Sequence, residues 1–276
     1  MDVLVLGQGA VGRSVANRLA TVGHDIRVCD RKGWQKAMRR RSDVLVLALT
    51  HGKQSAEVIA MAGCHGAVVD LTTQSPASAA RCQAAAERLG VSYSGGGING
   101  GARALGRGDA MLLLGPPPTS AGRGIADALG GVLPFAQASA AAAAKLLHNA
   151  YLLCHQYILA AALGAAAQHG VDGLTQVLVT GTAGRPLDQC SLLRDSAGEP
   201  SSSYLSRLAA KDLRLISAAF PGFVIDCAGL LDRMIQVLSS EPERPFTAEF
   251  LRAVAVARGD QSNTWRLPEA GDPYDN

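Results

Sequence analysis

Two groups of residues in this chain have the types and spacing to do chemistry. The first is Lys145-Leu146-Leu147-His148-Asn149, inside a long alanine-rich stretch. Residues four apart on a helix lie on one face one turn apart, so Lys145 and Asn149 project side by side. No carboxylate is near Lys145 in the sequence, and burial among alanines lowers an ammonium's pKa toward the range where it exchanges a proton near neutrality. Such a lysine can act as a general acid or base, with Asn149 bonding the reacting oxygen or orienting the amine. The residues alone equally allow Lys145 to snorkel to the surface, with Asn149 one member of a polar stripe.

The second group is Gly7-Gln8-Gly9-Ala10-Val11-Gly12, directly after a strand-like run and opening a helical one. In a G-x-G-x-x-G turn the first glycine makes the tight bend and the second lets the backbone approach a pyrophosphate. The third lets helix and strand pack closely, and the helix N-terminus offers N–H groups and a positive dipole end to the phosphates. Asp30 ends the next strand-like run, where an acidic residue meets an adenosine ribose. Asp30 favours NAD, whereas Arg31 and Lys32 directly after it can clamp a 2′-phosphate and favour NADP, so the choice between NAD and NADP stays open. Hydride transfer between nicotinamide and a carbonyl carbon needs one acid for the nascent alkoxide, or one base for the reverse, and Lys145 is the candidate.

Other chemistries find no support. The six histidines form neither H-E-x-x-H nor H-x-x-E-H, so no metal site is implied. No G-x-S-x-G is present. The six cysteines are far apart and mostly within apolar runs, which predicts reduced, buried thiols. A net charge of +3 spread along 276 residues gives no clustered basic face for nucleic acid or an anionic membrane. The densest run, Arg39 to Arg41 with Lys32 and Lys36 upstream, reads as a solvated helix face. Lysine is scarce, only five of 26 cations: Lys32, Lys36, Lys53, Lys145 and Lys211.

The elements that must position these groups follow from periodicity. Strands at Val3–Leu6, Ile26–Cys29, Val44–Leu49, Ala67–Leu71, Val91–Tyr93 and Met111–Leu114 alternate with helices at Ala10–Ala20, Gly33–Arg40, His51–Ala62 and Ser75–Leu89. Short strands separated by helices predict a parallel sheet covered on both faces. After Ala136 only helical patterns remain. The apolar stretch Ala136–Ala167 is interrupted at its centre by Lys145, His148, Asn149, His155 and Gln156, which predicts a buried helix instead of a membrane span. The expected organisation is α/β, an N-terminal Rossmann-like doubly wound sheet over 1–135, followed by an all-α domain over 136–276 that begins with a long interdomain helix. No secretory signal is visible, so a cytoplasmic location is expected. Alanines on nearly every face of the long helix predict a homodimer that buries it.

Several motifs in order carry a family resemblance. After the glycine turn come Asp70-Leu71-Thr72-Thr73-Gln74-Ser75-Pro76, then Gly95-Gly96-Gly97-Ile98-Asn99-Gly100-Gly101, then Gly108 to Gly115, then Lys145 with Asn149, then Lys211-Asp212-Leu213. From Gly7 to Leu215 the chain resembles the β-hydroxyacid dehydrogenases, which include 3-hydroxyisobutyrate dehydrogenase, tartronate semialdehyde reductase and 6-phosphogluconate dehydrogenase, and to which imine reductases are related. The resemblance implies an NAD(P)-dependent oxidoreductase acting on a small carbonyl or hydroxy-acid substrate. It implies Lys145 and Asn149 as catalytic residues and Gly7, Gln8, Gly9, Ala10, Val11, Gly12, Asp30, Arg31, Lys32, Thr73 and Lys211 as cofactor contacts. Asn99, Gly100 and Gly101 fall where the family holds a substrate carboxylate with S-G-G, and asparagine replaces the serine here. An imine reductase and a dinucleotide-binding protein without catalysis are the alternative readings.

Overall fold

The structure, a computed structural model, describes residues 1–62, 65–168, 206–219 and 239. The chain divides into two compact units, the first Met1–Ala150 with Leu215–Phe223 and the second Tyr151–Arg214 with Val224–Asn276. The first contains a seven-stranded sheet of order β2-β1-β3-β4-β5-β6-β7. Its strands are β1 (Asp2–Leu6), β2 (Asp25–Cys29), β3 (Val44–Leu47), β4 (Ala67–Asp70), β5 (Ser92–Asn99), β6 (Ala110–Gly115) and β7 (Gly130–Pro134). The helices are α1 (Ala10–Thr21), α2 (Trp34–Ala37), α3 (Gly52–Ile59), α4 (Pro76–Arg88), α5 (Gly101–Arg107), α6 (Ser120–Leu129) and α7 (Ala138–Gln168). A further helix, α8 (Ser206–Ala219), carries Lys211. No helix among the described residues is long and apolar enough to cross a membrane.

The sheet is covered on both faces because β1, β3 and β4 are apolar on both sides along most of their length, with Asp2 and Asp70 the polar exceptions. Alternation sends Val3, Val5, Val44, Val46 and Val69 to one face, against Val15 and Leu19 of α1, Leu105 of α5 and Ile125 and Leu129 of α6. Leu4, Leu6, Leu45, Leu47 and Val68 point to the other, against Trp34, Val58, Ile59, Ala79, Cys82 and, from α7, Ala138 and Ala142. Fully burying one such side chain stabilises the fold by ~1.5–3 kcal/mol. The two layers meet the expectation of a doubly wound Rossmann-like domain.

The sheet departs from expectation beyond β4. Alternating strands and helices predict parallel pairing throughout. The first five strands are parallel, but β6 runs against β5, with Gly95 opposite Gly115 and Asn99 opposite Met111. The expected strand at Val91–Tyr93 is in fact β5 and runs on to Asn99, through glycines that read as a loop because glycine is a poor strand former. Helices α5 and α6 and strand β7, also rich in glycine, were not predicted. In place of one helix over Gly33–Arg40, a 3₁₀ turn at Arg31–Gly33 leads into the short α2. Arg39, Arg40 and Arg41 are exposed, as expected, but they follow α2 in a turn and form no helix face.

One buried polar pair fastens the start of β3 to the start of β4. The Ser42 backbone N–H donates to His65 Nδ1 at 3.2 Å and the Ser42 hydroxyl lies 2.8 Å from the same atom. Nδ1 is therefore an acceptor, and the neutral ring carries its proton on Nε2. Burial lowers the His65 pKa, helped by the charge of Arg27. The folded pKa lies below the unfolded value, so the stability it confers is full above about pH 6.5 and is lost as pH falls through the folded pKa. Thermal melting from pH 7 to pH 5 should show the wild-type Tm dropping more steeply than that of His65→Gln. Parallel curves would remove His65 as the cause.

Candidate functional site

The carboxyl ends of the parallel strands and the turns after them carry the glycine turn, Asp30, Thr73 and Asn99, whereas Lys211 lies on α8 in the second unit. Strand order changes direction between β1 and β3, and in open α/β sheets ligands bind in the crevice outside such a switch point. The glycine turn lies there. Gly7, at φ +117°, has its N–H on the Cys29 carbonyl at 3.0 Å, and a Cβ on it would run into the Ala48 carbonyl after β3. A Cβ on Gly12 would run into the Gly7 carbonyl. Gly9 differs: a Cβ there meets nothing within 4 Å. Packing explains Gly7 and Gly12, whereas the openness beside Gly9 is a cradle into which a ligand's phosphates can come close to backbone. Gly9 caps α1 with no side-chain bond and no acidic residue stands in the first turn, so the orphan N–H groups are available to an anion. Arg13 folds back over the turn, its Nη1 donating to the Gln8 carbonyl at 2.8 Å. Gly7, Gln8, Gly9, Ala10, Val11 and Gly12 thus fit a dinucleotide diphosphate.

At the end of β2, one oxygen of Asp30 is already engaged. Its Oδ1 accepts from the backbone N–H groups of Lys32 at 3.1 Å and Gly33 at 3.2 Å, capping the 3₁₀ turn. Arg31 and Lys32 are exposed beside it.

The turn after β4 rests on a polar network that sequence reasoning missed. Asp70 is fully buried; its Oδ1 accepts from the Thr72 N–H at 2.9 Å, and its Oδ2 from Gln74 Nε2 at 3.0 Å and the Tyr93 hydroxyl at 3.1 Å. Thr72 Oγ1 in turn accepts from the Leu49 N–H at 3.1 Å, tying this turn to the one after β3. Burial pushes the Asp70 carboxyl up while the bonds from Thr72 and Tyr93 pull it back. Burial, with the Asp70 charge second, raises Tyr93 well above the usual phenol range and Cys82 to about 12. Thr73 is half-buried on the same turn, and Ser75 caps α4 by accepting from the Ser78 N–H at 3.2 Å, with Pro76 first in the helix. Asp70 stood in the sequence within a recognisable motif, but nothing there showed that Gln74 and Tyr93 converge on it.

Lys145 and Asn149 lie on α7 and are 9% and 6% exposed, so neither side chain reaches out to solvent. Lys145 Nζ donates to Asn99 Oδ1 at 3.2 Å, at the end of β5. Gly100, left-handed at φ +94°, turns the chain there, and Gly101 begins α5. The lysine and the Asn99-Gly100-Gly101 turn, 46 residues apart in sequence, are therefore brought together. His148, one turn from Lys145 and half-buried, has its pKa lowered by burial and then by the Lys145 charge. In the second unit Lys211 pairs with Asp212 at 3.0 Å. Among the described residues no three metal-binding side chains cluster. Cys82 is a buried free thiol, as expected, and Cys29 a half-buried one, while Cys154 falls where no side chain is described and Cys64, Cys190 and Cys227 lie outside the described residues.

No protein-family model matches the chain, and no curated protein matches it in sequence. Solved structures do share its fold. The 3-hydroxyisobutyrate dehydrogenase of Mycobacterium tuberculosis, with L-serine, is similar at TM-score 0.72 and 20% identity, over 90% of this chain and 97% of that one. A 3-hydroxyisobutyrate dehydrogenase from Salmonella typhimurium gives 0.75 and 17%, over 91% and 99%. A reductive aminase from Aspergillus terreus, in complex with NADPH4, cyclohexanone and allyl amine, gives 0.55 and 18%, over 90% and 97%. At these identities the likeness is one of fold.

The contrast between the glycines yields a test. Gly9→Ala should leave the Tm of the unliganded protein within ~1 kcal/mol equivalent of wild type and weaken NADPH at least tenfold by fluorescence titration. Gly12→Ala should lower the Tm itself, because its Cβ has no room. Equal Tm losses with unchanged NADPH binding would refute the assignment of Gly9.

Proposed function

We propose that the chain is an NAD(P)-dependent oxidoreductase of the β-hydroxyacid dehydrogenase type, acting on a small carbonyl or hydroxy-acid substrate. The observation that carries this reading is the buried Lys145–Asn99 pair beside Asn149, beyond the same carboxyl edge that carries the open cradle at Gly9. The similar folds of dehydrogenases and a reductive aminase support it. The glycine turn would hold a dinucleotide, which when bound would supply the hydride for carbonyl reduction or take it from the alcohol. Lys145 Nζ gives a proton to the nascent alkoxide, or removes it from the hydroxyl in the reverse direction. Asn149 donates to the same oxygen and Gly100 and Gly101 receive the substrate's carboxylate. Thr73 and Lys211 serve the nicotinamide end. At the adenosine end the capping role of Asp30 leaves Arg31 and Lys32 to meet a 2′-phosphate, which favours NADP.

The same reading divides the chain at residue 135 into a dinucleotide-binding and a helical domain. It places the protein in the cytoplasm as a homodimer, in keeping with the exposed Leu147 and Tyr151 on α7. A monomer by light scattering would contradict the dimer.

Oxidation of 3-hydroxyisobutyrate and L-serine, and reduction of cyclohexanone with and without allyl amine, should be followed by nicotinamide absorbance. Lys145→Met should lower kcat by ~100-fold or more and leave the NADPH Kd within about twofold, as its methylenes keep the packing. Unchanged turnover would remove the lysine mechanism, reaction of the ketone only with amine present would favour an imine reductase, and NADPH binding without any turnover would favour a non-catalytic binder. Arg31→Ala combined with Lys32→Ala should weaken NADPH by about tenfold or more and NADH little, whereas equal losses would deny the 2′-phosphate role.

A further inference from the structure

Lys145 reaches β5 through a gap and ends on an acceptor. A Cβ on Gly97 would lie 2.6 Å from Lys145 Cγ and 3.2 Å from its Cβ and Cδ, so the lysine stem fills the volume that a side chain at 97 would need. Residues two apart on a strand share a face, and two residues beyond Gly97 stands Asn99, whose side chain meets the lysine head at 3.2 Å. An ammonium only donates, so the Asn99 atom facing it is the carbonyl oxygen whichever way the amide is drawn. The stem is thereby seated by an absent side chain and the head by a present one, and both come from the same face of the same strand.

We propose that Asn99 is a positioning residue for Lys145, holding the ammonium at the end of β5 while Gly97 admits its stem. The proposal rests on Lys145 as the proton-transfer group. A carboxamide oxygen has no proton of its own to exchange, so it fixes the amine without competing for the proton. A serine hydroxyl would stop short of the ammonium, and a carboxylate would hold it as an ion pair and resist its deprotonation. With the oxygen taken by Lys145, the amide NH₂ is the end that can serve a substrate. That end recognises an acceptor, a carbonyl or carboxylate oxygen, and disfavours a hydroxyl that must donate at this point.

The low lysine count makes the proposal directly measurable. The full chain without cofactor, grown with ¹³C-labelled lysine, gives five ¹³Cε signals, and Lys145→Arg identifies the one that belongs to Lys145. Its titration midpoint should fall by about one pH unit in Asn99→Leu, because a hydrogen bond to the charged form is lost. The midpoint should rise by about one unit in the isosteric Asn99→Asp, which carries the test should Asn99→Leu fail to fold. Gly97→Ala should perturb the ¹³Cε shift of Lys145 and leave those of Lys32, Lys36 and Lys53 in place. Midpoints that stay within ~0.2 unit of wild type in the folded variants would overturn the proposal. That result combined with an inactive Lys145→Met would leave the dehydrogenase reading standing. Shifted midpoints combined with a fully active Lys145→Met would instead sink the dehydrogenase mechanism and leave the positioning of Lys145 intact.

Discussion

Helix α7 can lie against β5 only because two consecutive residues of that strand, Gly96 and Gly97, have no side chains. A Cβ on Gly96 would come within 2.5 Å of Ala141 Cβ, and one on Gly97 would meet the stem of Lys145. The helix contributes its own small residues, Ala138, Ala141 and Ala142, all fully buried. Small-on-small packing forgoes the ~1.5–3 kcal/mol that a larger buried side chain would add. In return the helix backbone comes close enough for a lysine in its second turn to span the remaining distance to Asn99. Everything proposed for catalysis depends on that separation, because proton transfer tolerates errors of a fraction of an ångström.

The second constraint is electrostatic and lies beneath the first. Asp70 ends β4 inside the protein, where an unpaired carboxyl would be costly, and three donors converge on it. Those donors belong to Thr72, Gln74 and Tyr93, so the carboxyl links the turns after β3 and β4 to the beginning of β5. Apolar packing sets the separation of the layers, and this network sets the path of the turns between them. The glycine turn after β1 needs no such network, since its shape follows from Gly7 and Gly12 packing on backbone carbonyls.

How much of this could be read from the sequence depends on the range of each interaction. The valine and leucine runs of β1, β3 and β4 are legible because a strand buried on both faces is apolar along most of its length. The pairing of Lys145 with Asn149 is legible because helical spacing is local. The glycine turn is legible because its spacing and its place between strand and helix are both local. The run Gly95 to Asn99 reads as a loop because a glycine's strand content depends on what approaches it, here α7 and β6. The Asp30 cap and the convergence on Asp70 were hidden for the same reason, since composition around an acidic residue does not reveal which donors fold onto it. The exchange of serine for Asn99 was visible, but its partner was 46 residues away.

The reversal of direction at β6 has a consequence for where α7 can go. Pairing between β4 and β5 ends at Asp70 and Gly95, so residues 96–99 overhang the parallel sheet by about 13 Å, flanked on that stretch by β6. Strand β7 follows β6 in parallel, and the chain therefore leaves the sheet at the foot of this overhang, where a Cβ on Gly115 would strike the Gln137 carbonyl. From there α7 climbs about 10 Å in its first seven residues and delivers Lys145 to Asn99 at the top. Had β6 and β7 run parallel to β5, the same helix would have started above the carboxyl edge and descended away from it. One antiparallel pairing in an otherwise parallel sheet thus turns an exiting helix into a mast that raises its lysine toward the ligand crevice.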